Sequence, residues 1–259
     1  MNSVLTLETV SKSFGGVAAV RDVSFSLKDA ELLGVIGPNG SGKTTLFNII
    51  SGFVKPDVGR VLLGAVDVTK LAPYKRAGIG IGRLFQDARV FSGMSVLENM
   101  LVAQQDEHEE SLFTAFLKWS WLSKRKVEEL ANARYWLEFV GLSMKEDSPA
   151  LSLSYGETKL LAIAMLLVRD SKVLLLDEPI SGLDIKMRES ILRLVKKLKT
   201  LGKSVVIIEH SLDFVFDVSD RIIIFKDGGK FHEGLADETR QATSLLREVY
   251  LNSSHATVS

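Results

Sequence analysis

The sequence predicts an α/β fold: a largely parallel sheet, an antiparallel β part at the N-terminus and an inserted helical subdomain. Three observations carry this. Short apolar runs bounded by charges, at 173–176, 205–208 and 222–225, alternate with helical stretches, the pattern of strands covered by helices on both faces. Glycine-containing turn signals punctuate the N-terminal part, where short strands are expected. The stretch between Ser95 and Gly141 is rich in Leu, Glu, Lys and Ala, contains Trp119, Trp121, Tyr135 and Trp136, and lacks strand-like alternation.

Taken in order, residues 4–10 and 23–27 read as strands separated by Gly15-Gly16, and 61–63 and 66–68 as strands separated by Gly64-Ala65. Between the two pairs, 31–36 is a short apolar run ending at Gly37, and 46–50 continues beyond it with helical character. After the helical insert, a helix is expected from about Gly156 to Val168, then a strand at 173–177. A helix from Ile185 to about Leu201 places Ile191, Leu194, Val195 and Leu198 on one face, and Gly202 is a plausible stop. A strand at 204–208, a short helix at 212–218 and a strand at 221–225 follow, ending at the turn signal Asp227-Gly228. The expected division is one domain over 1–259. Its core comprises 1–94 and 155–235, its helical subdomain 95–154, and 236–259 forms a C-terminal helix and tail.

Composition bounds the function. Apolar residues make up 46% and charged residues 25% of 259, an ordinary globular mix. With no cysteine the chain offers no thiolate chemistry and needs no oxidising compartment. Basic and acidic residues balance at 32 each, which argues against nucleic acid as a partner. No segment reaches the roughly 18–20 uninterrupted apolar residues of a spanning helix, and the first ten residues do not read as a signal peptide. A cytoplasmic location is therefore expected.

The strongest local signal is Gly37-Pro38-Asn39-Gly40-Ser41-Gly42-Lys43-Thr44, which fits G-x-x-x-x-G-K-[ST] between an apolar run and a helical stretch. Glycines let the backbone turn tightly and aim successive N–H groups at an anion, and the following helix adds its positive end. Lys43 is expected to reach the β- and γ-phosphates of ATP, the Thr44 hydroxyl to sit on Mg²⁺, and Thr45 beside it to contact the nucleotide. The second signal is the apolar run 173–176 ending in Asp177 and Glu178. Sites of open α/β sheets lie at the carboxyl ends of strands. Asp177 is then expected to emerge beside Lys43 and hold Mg²⁺, and Glu178 to accept a proton from the attacking water. Alone, an acidic pair after a strand is more often a solvated strand end; joined to the phosphate loop, it reads as part of the site.

A family resemblance becomes specific at Leu153-Ser154-Tyr155-Gly156-Glu157, which resembles the signature motif of ABC ATPases. Ser181-Gly182-Leu183-Asp184 looks like that family's D-loop, Gln86 within Leu84-Phe85-Gln86 its Q-loop glutamine, and His210 its switch histidine. Phe14, before Gly15-Gly16, resembles the aromatic that stacks on adenine, a core or turn aromatic being the lesser reading. The resemblance implies a P-loop NTPase (RecA-like) core with Glu178, His210 and Gln86 as catalytic residues. It places the metal on Thr44, Asp177 and Gln86, and adds Phe14, Ser154, Gly156 and Asp184 to the nucleotide contacts. It also implies two ATPase subunits, identical or paralogous, facing head to tail so that Ser154 and Gly156 meet the partner's γ-phosphate. Integral-membrane permease subunits, and indirectly a solute-binding protein, complete the implied assembly at the cytoplasmic face of the membrane.

Two departures stand out: Tyr155 where many members have glycine, and Glu157 where many have glutamine. Tyr155, the long insert containing Leu112-Phe113 and Trp136-Leu137-Glu138, and the ending Val249-Tyr250-Leu251 are similar to the ATPases of branched-chain amino acid (or urea) importers. An exporter of lipid or polysaccharide remains the alternative, and a non-transport ABC ATPase a more distant one. A GTPase reading lacks the N-K-x-D motif it requires.

Overall fold

The structure is a computed structural model, in which residues 3–104 and 119–251 are described. Strands β1 (Ser3–Phe14) and β2 (Val17–Lys28) form a hairpin about Gly15-Gly16, with Phe14 opposite Val17 and Ser3 opposite Lys28. Both strands run well beyond the expected 4–10 and 23–27. Register irregularities between Leu7 and Ser13 break the two-residue period, so the polar residues Ser11–Ser13 belong to a strand whose alternation is lost at the bulges. With β4 (Val58–Leu63) and β5 (Val66–Asp67) they make an antiparallel sheet ordered β2-β1-β4-β5.

The second sheet holds β3 (Leu32–Ile36), β6 (Ile81–Leu84), β7 (Val173–Asp177), β8 (Ser204–Ile208), β9 (Arg221–Lys226) and β10 (Gly229–Leu235) in the order β10-β9-β3-β8-β7-β6. All its pairings are parallel except β10 with β9, which turns at Asp227-Gly228. Alternate side chains of β3, β7, β8 and β9 enter two separate cores. Leu32, Leu174, Val205 and Ile222 face one; Leu33, Val173, Val206 and Ile223 face the other. Burial on both faces is why these strands read as continuous apolar runs.

On the first face lie α3 (Val96–Gln104), α4 (Trp119–Val140) and α5 (Tyr155–Val168), packed on one another through residues such as Met100, Leu137 and Leu161. Strands β6 and β7 are neighbours in the sheet, so everything from 85 to 172, these helices included, is an excursion between two adjacent strands. The expected Leu112-Phe113 lies outside the described residues; Trp136 sets its ring edgewise to Phe139 at 5.4 Å. Helix α6 (Ile185–Thr200) buries Ile191, Leu194, Val195 and Leu198 and stops before Gly202, whose φ is +72°. Helix α7 (Leu212–Val218) follows β8, and α8 (Ala236–Gln241) and α9 (Thr243–Leu251) end the described chain, with Val249 buried. On the second face α1 (Lys43–Ile50) packs Leu46, Phe47, Ile49 and Ile50 beneath the antiparallel sheet.

Three elements were not expected from the sequence. Helix α2 (Pro73–Gly78) is six residues with Pro73 at its start, too short for a period to show. Strand β6 carries Gly82 and Arg83 in its four residues, and β10 is a polar edge strand with Lys230, His232 and Glu233.

Candidate nucleotide-binding site

Strand β3 delivers the chain to the loop 37–42, and α1 begins at Lys43. Two positions there admit only glycine. Gly37 has φ +152°, and a Cβ on it would lie 2.1 Å from the Phe225 carbonyl oxygen; Gly42 has φ +101°, and its Cβ would lie 2.2 Å from the Ala19 carbonyl oxygen. The loop is thus pressed onto β9 and the hairpin. No side chain caps α1, so its first N–H groups face outward as an anion cradle.

Lys43 is only 6% exposed, and its Nζ donates to the carbonyl oxygens of Gly37 and Pro38, both at 2.8 Å. Burial lowers its pKa, while the nearby carboxylates of Glu178 and Asp177 oppose that shift. The ammonium therefore braces the loop from within and stays beside the space a phosphate would fill. That space is a cavity of about 210 Å³ lined by Asn39 to Thr45 on one side and by Glu178 and His210 on the other.

Glu178 follows the last residue of β7. Its Oε1 lies 3.0 Å from Nε2 of His210, and its N–H donates to the Ile208 carbonyl oxygen at 2.8 Å. Its φ is +48°, a left-handed conformation unusual for a non-glycine residue. Such a conformation costs on the order of 1–3 kcal/mol and persists only where neighbours over-determine it. Glu209, which sequence reasoning passed over, is one neighbour that shapes this corner. Its carboxylate accepts the N–H groups of Ile180 at 2.8 Å and of His210 at 3.0 Å, and burial pushes its pKa up.

Asp177 is held differently from expectation. It does sit within electrostatic reach of Lys43, but its Oδ2 accepts a 2.8 Å ion pair from Arg83 on β6. The Arg83 guanidinium also donates to Asn48 Oδ1 at 2.7 Å and Ser51 Oγ at 3.0 Å on and after α1, and lies 4.7 Å from the ring centre of Phe85. Its sequence signal was a charge inside the apolar run 79–84. Arg83→Met is expected to strand a buried carboxylate, at a cost of about 3–5 kcal/mol. By calorimetry Tm should fall by roughly 10 °C; an unchanged Tm would count against the pair's structural weight.

The remaining expected residues lie away from this cavity. Phe14 is 49% exposed at the hairpin end, with Lys12 Nζ 5.4 Å from its ring centre. Gln86 is exposed, and its carbonyl oxygen accepts from the Tyr155 hydroxyl at 3.3 Å. Ser154 caps α5. Its Oγ accepts from the Glu157 N–H at 3.3 Å, and Glu157 Oε2 accepts from the Ser154 N–H at 2.9 Å. Glutamine would make the same capping box; the carboxylate at 157 adds an ion pair with Lys145 Nζ at 2.7 Å, and the Ser154 O–H, with the first turn about Gly156, is left to donate outward. Asp184 caps α6, its Oδ1 accepting from the Met187 N–H at 2.9 Å.

An anion-cradling loop at a helix start, a buried lysine and a strand-end glutamate held by an imidazole define a P-loop NTPase site. Residues 20–181 match the family described as ABC transporter. The chain is 35% identical to the high-affinity branched-chain amino acid transport ATP-binding protein LivG of Salmonella typhimurium, over 94% of this chain and 96% of that one. It is 31% identical to BraF of Pseudomonas aeruginosa over 94% and 96%. A crystal structure of an ATP-binding cassette of an ABC transporter in its ADP conformation superposes with TM-score 0.83 at 34% identity, covering 97% of this chain and 99% of that one. A dimeric post-hydrolysis cassette bound to ADP and Pi gives TM-score 0.73 at 28% identity, covering 90% and 98%. The chain belongs to the ABC transporter family, as an ATP-binding and ATP-hydrolysing cassette. Among the described residues no helix is long and apolar enough to cross a membrane.

Proposed function

We propose that this ATPase powers an importer of branched-chain amino acids or a similar small solute, working as a peripheral subunit at the cytoplasmic face of the membrane. Lys43, Glu178 and His210 around one cavity carry the ATPase half of this reading. The LivG and BraF relatives, similar over almost their whole length, support the cargo.

In this reading the triphosphate lies on the loop, neutralised by Lys43 and the start of α1. Mg²⁺ fits the donors on hand: the Thr44 hydroxyl at the cavity, the Asp177 carboxylate with Oδ2 anchored by Arg83, and Gln86 as the protein closes. Among the described residues no group of three or more His, Cys, Asp or Glu gathers that could hold a metal alone. That suits an ion that keeps several waters and takes phosphate oxygens. When bound, it would offset charge on the β- and γ-phosphates. Glu178 then takes the proton of the attacking water, and His210 fixes the carboxylate's orientation through its 3.0 Å contact. Two subunits facing head to tail would bring Ser154 and Gly156 of one onto the γ-phosphate held by the other, with Asp184 near the junction. Residues 95–154, within the excursion between β6 and β7, act in this scheme as the helical subdomain of a single domain.

A permease must dock where it can sense that closure. An apolar groove of about 360 Å³, lined by Phe53, Tyr74, Ile81, Phe85 and Leu166, lies between the core and α5, next to Gln86. It suits an apolar helix end of a membrane subunit.

The test is uptake into proteoliposomes holding the co-purified permease. ATP-dependent accumulation of leucine supports the importer reading; a permease that instead exports lipid or polysaccharide would overturn it. Phe14 offers an aromatic face and no hydrogen-bonding group, so purified protein should bind ATP and GTP within about tenfold of each other. A competition assay giving a larger preference would count against stacking as the base contact.

A further inference from the structure

Lys159 lies on α5, on the second turn after Ser154, and is fully buried. Its Nζ donates to two main-chain carbonyl oxygens, that of Glu178 at 2.8 Å and that of Ser181 at 3.0 Å. It also sits 5.1 Å from the ring centre of Tyr155, whose hydroxyl donates to the Gln86 carbonyl oxygen. Burial lowers its pKa, and the nearby carboxylates of Glu209, Glu178 and Asp87 oppose that shift in part. A buried ammonium is costly unless hydrogen-bonded. This one spends its donors on backbone, and so fixes where that backbone lies.

The backbone it fixes is the strained one. Glu178 holds φ +48°. Its N–H is tied to Ile208 of β8, and its C=O accepts from Lys159 of α5 and from the Ser181 N–H at 3.2 Å. Ser181, the second acceptor, opens the segment Ser181-Gly182-Leu183-Asp184 that leads into α6. One side chain thereby joins the helix capped by Ser154 to the residue placed to activate water.

We propose that Lys159 is a positioning residue that couples the two ATP sites of the dimer. When Ser154 at the head of α5 engages the nucleotide of one site, Lys159 carries the displacement of α5 to Glu178 of the other. The coupling rests on the head-to-tail reading of the dimer.

The test compares Lys159→Met, which keeps length and loses the donors, with Lys159→Arg, which restores them. Three quantities are measured: affinity for a fluorescent ATP analogue, ATP-driven dimerisation in the Glu178→Gln background, and steady-state hydrolysis. Lys159→Met should bind the analogue within about twofold of wild type and still dimerise, yet lose about tenfold or more in kcat and its cooperativity in ATP. Lys159→Arg should recover most of the kcat. Unchanged kcat and cooperativity would overturn the proposal, as would affinity and kcat falling together without rescue by arginine, the mark of a merely structural residue. If Glu178→Gln with Lys159 intact stays monomeric in ATP, the dimer reading itself fails and the coupling falls with it. If Lys159→Met does not fold, Lys159→Gln, uncharged and too short to reach both carbonyl oxygens, takes its place in the same comparison.

Discussion

Lys43→Ala should abolish productive ATP binding. Truncating one partner of a buried, hydrogen-bonded charge pair costs about 2–5 kcal/mol, so affinity for ATP should fall roughly 30-fold to several thousand-fold. The loss has two sources. The phosphates lose an ammonium already positioned beside the cavity, and the loop loses the brace between Lys43 and the carbonyl oxygens of Gly37 and Pro38. The fold should survive, because the loop is also pinned by Gly37 and Gly42 against Phe225 and Ala19. Titration calorimetry with MgATP checks this; near-wild-type affinity in the alanine variant would mean that the phosphates bind elsewhere.

Glu178→Gln should separate binding from chemistry. The amide keeps the size of the carboxylate and can still contact His210, but it cannot take a proton from water. A general base contributes about 10²–10⁴-fold, and kcat should fall by that order while ATP affinity holds. With hydrolysis blocked, the ATP-bound pair of subunits has no route to reopen. Size-exclusion chromatography of the variant in ATP and Mg²⁺ should show a dimer. A persistent monomer with normal turnover would remove Glu178 from the role of base.

What the sequence made legible follows from where physics acts locally. The phosphate loop was readable because its demands are local: glycines where a Cβ would strike backbone, a lysine that folds back on the same loop, and a helix start one residue on. Strands β7, β8 and β9 were readable because burial on both faces leaves an apolar run. The glutamate at 157 looked like a departure from a motif and is half of a capping box with Ser154.

Other features were hidden because they are long-range. Arg83 and Asp177 are 94 residues apart, and only the pairing of β6 with β7 makes them neighbours. Lys159 looks like one more lysine on a helix until α5 lies across the end of β7. Glu209 reads as the residue before a histidine, and only the fold turns it into an acceptor for the Ile180 N–H. Strand β6 escaped notice because Gly82 and the inward-reaching Arg83 interrupt its apolar character.

The account turns on a site shared between two copies, and the most direct measurement is a crystal structure of Glu178→Gln grown with MgATP. It should show the triphosphate against Lys43 of one copy, with the Ser154 hydroxyl and the Gly156 N–H of a second copy on the γ-phosphate. A nucleotide seated away from Lys43, or a γ-phosphate that no second copy reaches, would contradict it.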